Sequence, residues 1–243
     1  MGEEEKTSPR RSFLKKAAGL AGAASLVPAP VSSSVATAAA PPSEADSASS
    51  VPYQSLSADE ATFIEALVNV MCPADEHSPN GVDCGLATYI DLQLAGPYGK
   101  GAGLYRQGPF RSGKLELGWQ IPLTPEEFCK AGIAAADAAC VRQHGKSFAE
   151  LSPTDADEFL KAVQADRVRD EAVSLSLWFN DVIYRLFVEA CFADPMYGGN
   201  RHAVFWKMIG YPGLPATHTL DVVRYRGKPY PGAKNPKSIG DFT

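Results

Sequence analysis

Three short stretches decide the fold: Ser57-Ala58-Asp59-Glu60, Thr124-Pro125-Glu126-Glu127 and Ser152-Pro153-Thr154-Asp155. Each begins with a hydroxyl that can accept a hydrogen bond from a backbone N–H three residues on. In the first two, a Glu at that third position can reach back to the N–H of the cap. Pro125 and Pro153 stand in the first turn, where the missing N–H costs nothing. All three are helix starts, and the residues after each of them agree. After Ser57, the residues Phe63, Ile64, Leu67, Val68 and Met71 recur at helical spacing until Pro73. After Thr124 a helix runs to Gly145, a residue suited to a helix end. After Ser152, Phe159, Leu160 and Val163 form the inward face.

Working outward, a further helix is expected from about Asp83 to Leu94, with Leu86, Tyr89, Ile90 and Leu94 on one face. Another runs from Ser174 to Phe192. It carries Leu177, Trp178, Val182, Ile183, Leu186, Phe187 and Ala190, and is expected to be the most buried. A short one, His202 to Ile209, comes after the Gly198-Gly199 pair. Residues 96–118, rich in Gly and aromatic side chains, read as a long loop, with Trp119 just beyond. The longest period-two alternation is Leu220 to Tyr225, too little for a sheet. Pro229, Pro231 and Pro236 rule out a regular helix or ladder at the C-terminal end. The expectation is an all-α single domain of five to six helices, with one long loop and an irregular Pro-rich tail.

The chain begins differently. Ser8-Pro9-Arg10-Arg11-Ser12-Phe13-Leu14-Lys15-Lys16 has the twin-arginine pattern of a Tat export signal, with Arg10, Arg11, Phe13 and Leu14 as its core. The apolar run after it, Ala17 to Val27, is short and Ala/Gly-rich, whereas a membrane span needs about 20 apolar residues. Ala36-Thr37-Ala38 and Ala38-Ala39-Ala40 both suit signal cleavage, and retention as an anchor stays open. The organisation expected is a signal at 1–40, a Pro/Ser/Ala-rich linker at 41–56, a helical domain at 57–226 and an extended tail at 227–243. The Tat route carries folded proteins, so this chain or something bound to it must fold before export.

Beyond residue 40 the chain holds 18 Lys/Arg against 25 Asp/Glu, a net charge of −7. That argues against nucleic acid as a partner. Of the five cysteines, Cys72 and Cys84 flank a loop with Pro73, Pro79 and Gly81 and are placed for a disulfide. Cys129 and Cys140, about 16 Å apart along one helix at 1.5 Å per residue, cannot pair with each other. Either could meet Cys191, or all three could be buried thiols. No dinucleotide-binding glycine pattern, c-type haem motif, nucleophile elbow or metal-spaced histidine set is present. No catalytic, cofactor-binding or metal-ligating residue is therefore expected in this chain. Asp75, Glu76 and His77 share a loop that reads as a solvated turn.

The remaining feature is Asp194-Pro195-Met196-Tyr197-Gly198-Gly199-Asn200-Arg201-His202, leading through Phe205 and Trp206 to Ile209-Gly210-Tyr211-Pro212-Gly213. Adjacent glycines allow positive φ and close approach, and Asn200 is placed to cap the short helix. The segment reads either as a tight inter-helix turn or as a contact surface of aromatic side chains, Met and Arg. This run, the helical body and the Tat signal together resemble the gluconate 2-dehydrogenase subunit 3 family, over about residues 55–243; the stretch Tyr225 to Gly232 and on to Asp241-Phe242 resembles it too.

The resemblance implies a small, non-catalytic subunit. Its partners would be an FAD-bearing flavoprotein and a multi-haem cytochrome c subunit that passes electrons to quinone. FAD and haem c would then lie in the partners, none in this chain. The Tat translocase would export the assembly to the periplasmic face of the cytoplasmic membrane, the flavoprotein riding on this chain's signal. The residues expected at the partner interface are Tyr197, Gly198, Gly199, Asn200, Trp206, Tyr211, Pro212 and Gly213. The alternatives are an independent periplasmic enzyme built on Asp75, His77 and His202, or a binding module at the Gly198-Gly199 turn.

Overall fold

The capping residues do what their spacing predicts. Ser57 accepts from the Glu60 N–H, Thr124 from Glu127 and Ser152 from Asp155, and the first two close full capping boxes. The computed structural model describes residues 52–111, 120–215 and 217–243. The twin-arginine motif, most of the linker and Trp119 lie outside the described residues.

The elements are α1 (Ala58–Met71), α2 (Leu86–Ala95), α3 (Pro125–His144) and α4 (Pro153–Gln164). Next is a continuous rod: α5 (Leu175–Leu177), a π-helical stretch (Trp178–Ile183) and α6 (Tyr184–Phe192). Then come α7 (Val204–Ile209) and α8 (Thr219–Arg224), with single 3-10 turns between. Among the described residues there is no strand, only an isolated bridge between Gly213 and Lys237. None of the described helices is long and apolar enough to cross a membrane.

α1 packs against α2, α3 and α4, while α6 lies along α2 and the π stretch against α3. At the centre Trp178 is fully buried. Its indole N–H donates to the Cys129 carbonyl at 3.1 Å, so the polar atom of the ring is satisfied inside the core. Phe63 and Phe148 meet at 4.7 Å between ring centres, with Phe159 next to Phe148 and Trp178 next to Phe63. Gly132 on α3 makes room for the indole: a Cβ there would lie 2.1 Å from Trp178 Cδ1. The π stretch inserts an extra residue per turn just where this ring must be seated.

The chain before α1 is clasped to the body. The buried Asp91 carboxylate accepts from the N–H groups of Gln54, Ser55 and Leu56 at 2.7, 2.8 and 2.9 Å. Glu126 accepts from the Ser55 hydroxyl and pairs with Lys100 and Lys130, while Lys130 also donates to the Ser55 carbonyl. The hydrogen bond from Lys100 is the largest influence that holds the Glu126 carboxyl down to about 2.

Two sequence expectations shift. The second helix begins at Leu86 rather than Asp83, because residues 80–85 form turns held by Asn80 and Asp83. The stretch Leu220–Tyr225, too short an alternation for a sheet, is the helix α8 and its end. The Pro-rich tail is not wholly irregular. Pro231 starts a 3-10 turn to Lys234, and Ile239–Phe242 forms another behind a Ser238–Asp241 capping box.

All five cysteines are buried free thiols. Cys72 and Cys84 share one acceptor, the Pro79 carbonyl, at 3.9 and 3.5 Å from their Sγ atoms. Cys191 is likewise a free thiol, so neither α3 cysteine is bonded to it. Burial pushes Cys84 up to about 11 and Cys129, Cys140 and Cys191 up to about 12. None is a thiolate at neutral pH.

Candidate functional site

The turn from Asp194 to Gly213 is built from the inside. Gly199 is pressed against α6: a Cβ there would sit 2.5 Å from the Ala190 carbonyl oxygen. Gly198 takes φ +93° beside Thr88 and Leu92 of α2. Asn200 is fully buried. Its amide donates to the Ala193 carbonyl at 3.1 Å and its oxygen accepts from the Phe205 N–H at 3.0 Å. The expected cap therefore exists, five residues along instead of three, because the chain first makes the 3-10 turn Arg201–Ala203.

Arg201 pins the turn to the start of α2, its N–H on the Cys84 carbonyl at 3.0 Å and its guanidinium on the Thr88 hydroxyl at 3.2 Å. Asn200, His202 and Ala203 all hold positive φ, at 46°, 58° and 53°. Each such non-glycine residue costs about 1–2 kcal/mol. The buried hydrogen bonds of Asn200 and Arg201 offset that strain.

Trp206 continues the scheme. It is buried, and its indole N–H donates to the Phe192 carbonyl at 2.8 Å, capping α6. Tyr211 stacks edge-on against it at 5.0 Å. Pro212 and Gly213 receive the tail: the Pro212 carbonyl accepts from the Lys237 N–H at 3.1 Å, and a Cβ on Gly213 would lie 2.2 Å from the Lys237 oxygen. Asp194 ties both ends together, accepting from Met196 at 3.0 Å and from Ile239 at 2.9 Å.

Of the eight residues expected at a partner interface, then, Gly199, Asn200, Trp206 and Gly213 are buried within the chain. Gly198 and Pro212 are half-buried, and Tyr197 and Tyr211 are exposed. The apolar surface lies beside them. Tyr184, Val188 and Phe192 project from α6 at a spacing of four residues, a stripe along one helix face. Met196 and Tyr197 extend it past the end of the helix, and Met208, Ile209 and Tyr211 add exposed apolar surface around α7. The sequence reading missed this stripe because the same helix also carries the core set Val182, Ile183, Leu186 and Ala190. A helix with two apolar faces was the signal available.

The Asp75–His77 loop is turned to its own backbone. Asp75 accepts from the His77 and Ser78 N–H groups, both at 2.8 Å, and these bonds hold its carboxyl below the usual range. His77 stands 3.3 Å from Glu76 in the open. With Glu76 it borders a shallow depression of about 510 Å³ against Val204, Lys207 and Met208 of α7. His202 is exposed but does not line it. Among the described residues no group of three or more His, Cys, Asp or Glu side chains stands close enough to hold a metal ion.

No curated protein and no solved structure matches the chain significantly. The family model for gluconate 2-dehydrogenase subunit 3 matches residues 58–213, from the start of α1 to the glycine that receives the tail. A match over that much of the chain, covering both the helical body and the whole of the Gly198–Gly213 turn, places the protein in the gluconate 2-dehydrogenase subunit 3 family.

Proposed function

We propose that the chain is the small, non-catalytic subunit of a membrane-associated FAD-dependent dehydrogenase that oxidises D-gluconate at C2 to 2-dehydro-D-gluconate. The observation that carries this reading is the family match over residues 58–213. In the complex a hydride leaves C2 for the flavin of a large partner subunit, and a cytochrome c subunit passes the electrons to quinone. FAD and haem belong to those partners.

This chain contributes shape and transport. The stripe Tyr184, Val188, Phe192, with Met196, Tyr197 and Tyr211, is rich in the aromatic and Met side chains that interface cores favour. It is backed by a turn whose buried polar side chains are hydrogen-bonded, so it is presented rigidly. The twin arginines Arg10 and Arg11 address the folded pair to the Tat translocase, and the assembly works on the periplasmic face of the cytoplasmic membrane.

The test is co-purification of a flavoprotein with the tagged full chain, and the location of gluconate-oxidising activity in cells. Arg10→Lys with Arg11→Lys is expected to leave the activity inside the cytoplasm. Activity still reaching the periplasmic side in that variant would sink the escort role. Phe192→Asp with Tyr184→Asp is expected to lower flavoprotein capture by about 1,000-fold, on the scale of two interface hot spots.

A further inference from the structure

The C-terminal segment differs in charge from everything before it. Residues 219–243 carry five Lys/Arg and two Asp/Glu, net +3, while residues 41–218 carry 13 and 23, net −10. Arg224, Arg226, Lys228, Lys234 and Lys237 are all exposed. None of the five makes an ion pair among the described residues. In the body, by contrast, Lys100, Arg106, Lys130, Arg142, Lys161, Arg169 and Arg185 each have an acidic partner.

The same segment exposes aliphatic side chains. Leu220, Val222 and Val223 on α8 are 77%, 70% and 76% exposed, among the most exposed large apolar residues of the described chain. They are held outward by an ordered scaffold. Asp221 accepts from the Tyr230 hydroxyl at 3.2 Å and stands 3.4 Å from His218 Nδ1. The Tyr225 and Tyr230 rings meet at 5.2 Å, with His218 at 5.6 Å from Tyr230. The bonds from Leu214 to Lys237 and from Ile239 to Asp194 fasten the far end to the body. Tyr225, Tyr230 and His218 are thus engaged with one another, leaving cations, short aliphatics and Phe242, 66% exposed, outside.

That composition discriminates between occupants. Protein interface cores favour aromatic residues, Met and Arg, and are depleted in Lys. The outward set here is Leu, two Val, one Phe, three Lys and two Arg, with Lys its commonest member. Long cations that meet phosphates, and aliphatic groups that enter the boundary below them, suit an anionic bilayer. We propose that residues 219–243 form a peripheral docking patch for an anionic phospholipid bilayer, with Leu220, Val222 and Val223 entering the headgroup boundary and the five cations meeting lipid phosphates. The patch lies beyond Gly213, where the match of the family model ends.

The test is co-sedimentation of the full chain with phosphatidylcholine vesicles containing phosphatidylglycerol, against phosphatidylcholine alone. Binding to the anionic vesicles, weakened by added salt, is expected. The variant Arg224→Gln with Arg226→Gln and Lys228→Gln is expected to lower the partition constant roughly 100-fold, at the usual gain per cation near an anionic surface. Leu220→Ser with Val223→Ser is expected to weaken it with the charge unchanged. Every variant keeps the same N-terminal signal, so the differences report the C-terminal patch. Undiminished vesicle binding by both variants overturns the proposal. So does a neutralised variant that still sediments with vesicles but no longer captures the flavoprotein, which would assign the patch to a protein face.

Discussion

The aromatic stripe of α6 and the basic segment around α8 are both exposed and apolar, yet the residues behind them differ. Beneath Phe192 lie the Trp206 indole on its carbonyl and the buried Asn200 amide one residue further. The stripe is the outer edge of the core. Behind Leu220 and Val223 there is only a small cluster of Tyr225, Tyr230, His218 and Asp221. A surface continuous with the core is pre-shaped and suits a partner of fixed form. A surface on a lightly fastened segment, with unpaired cations, suits a partner without one.

The contrast can be broken from the core side first. Gly132→Ala puts a methyl into the fully buried Trp178 ring, and overpacking of that kind costs about 3 kcal/mol. A fall in Tm on the order of 10 °C is expected in thermal unfolding. The π stretch and the α6 stripe should loosen with it, while the tail is unaffected in amide exchange.

A smaller effect sits at the N-terminal clasp. The Glu126 carboxyl is held at about 2 against an ordinary 4.5. A carboxylate with a depressed folded pKa stabilises the fold above its unfolded pKa and loses that contribution as pH falls. The loss should therefore run from about 4.5 down to about 2. It should amount to about 1–2 kcal/mol, since Lys100 is mostly exposed and solvent screens the pair. Denaturant titrations across that window should find a steeper slope in the parent than in Glu126→Gln.

The smallest effect belongs to the tail. Leu220→Ser with Val223→Ser removes side chains that touch little of the body, so stability should move by less than about 0.5 kcal/mol. Circular-dichroism melts that fell by several degrees would mean that α8 is part of the folding core and the contrast is wrong.

The helix starts were legible because they depend on local chemistry. A hydroxyl, a carboxylate three residues on and a proline in the first turn act within one turn of chain, and Ser57, Thr124 and Ser152 behave accordingly. The all-α class comes from them. The Gly198–Gly199–Asn200 turn could be singled out by composition. Its inward use could not be read, because Ala190, Ala193 and Cys84, which it meets, lie up to about a hundred positions away in the chain. The alternation in Leu220–Tyr225 carried no strand expectation, because six residues are too few to distinguish periods of 2 and 3.6, and the stretch is helical.

The sequence by itself determined the helical class, the capped boundaries, the family likeness and the reversal of charge near the C-terminal end. Only the tertiary structure decided which apolar residues were left outside. Helix α6 has two apolar faces, and one of them was claimed by α2, α7 and the turn. That choice depends on how distant elements pack, and local periodicity carries no record of it. The same holds for the tail's cations, whose lack of acidic partners among the described residues appears only once distant elements are placed.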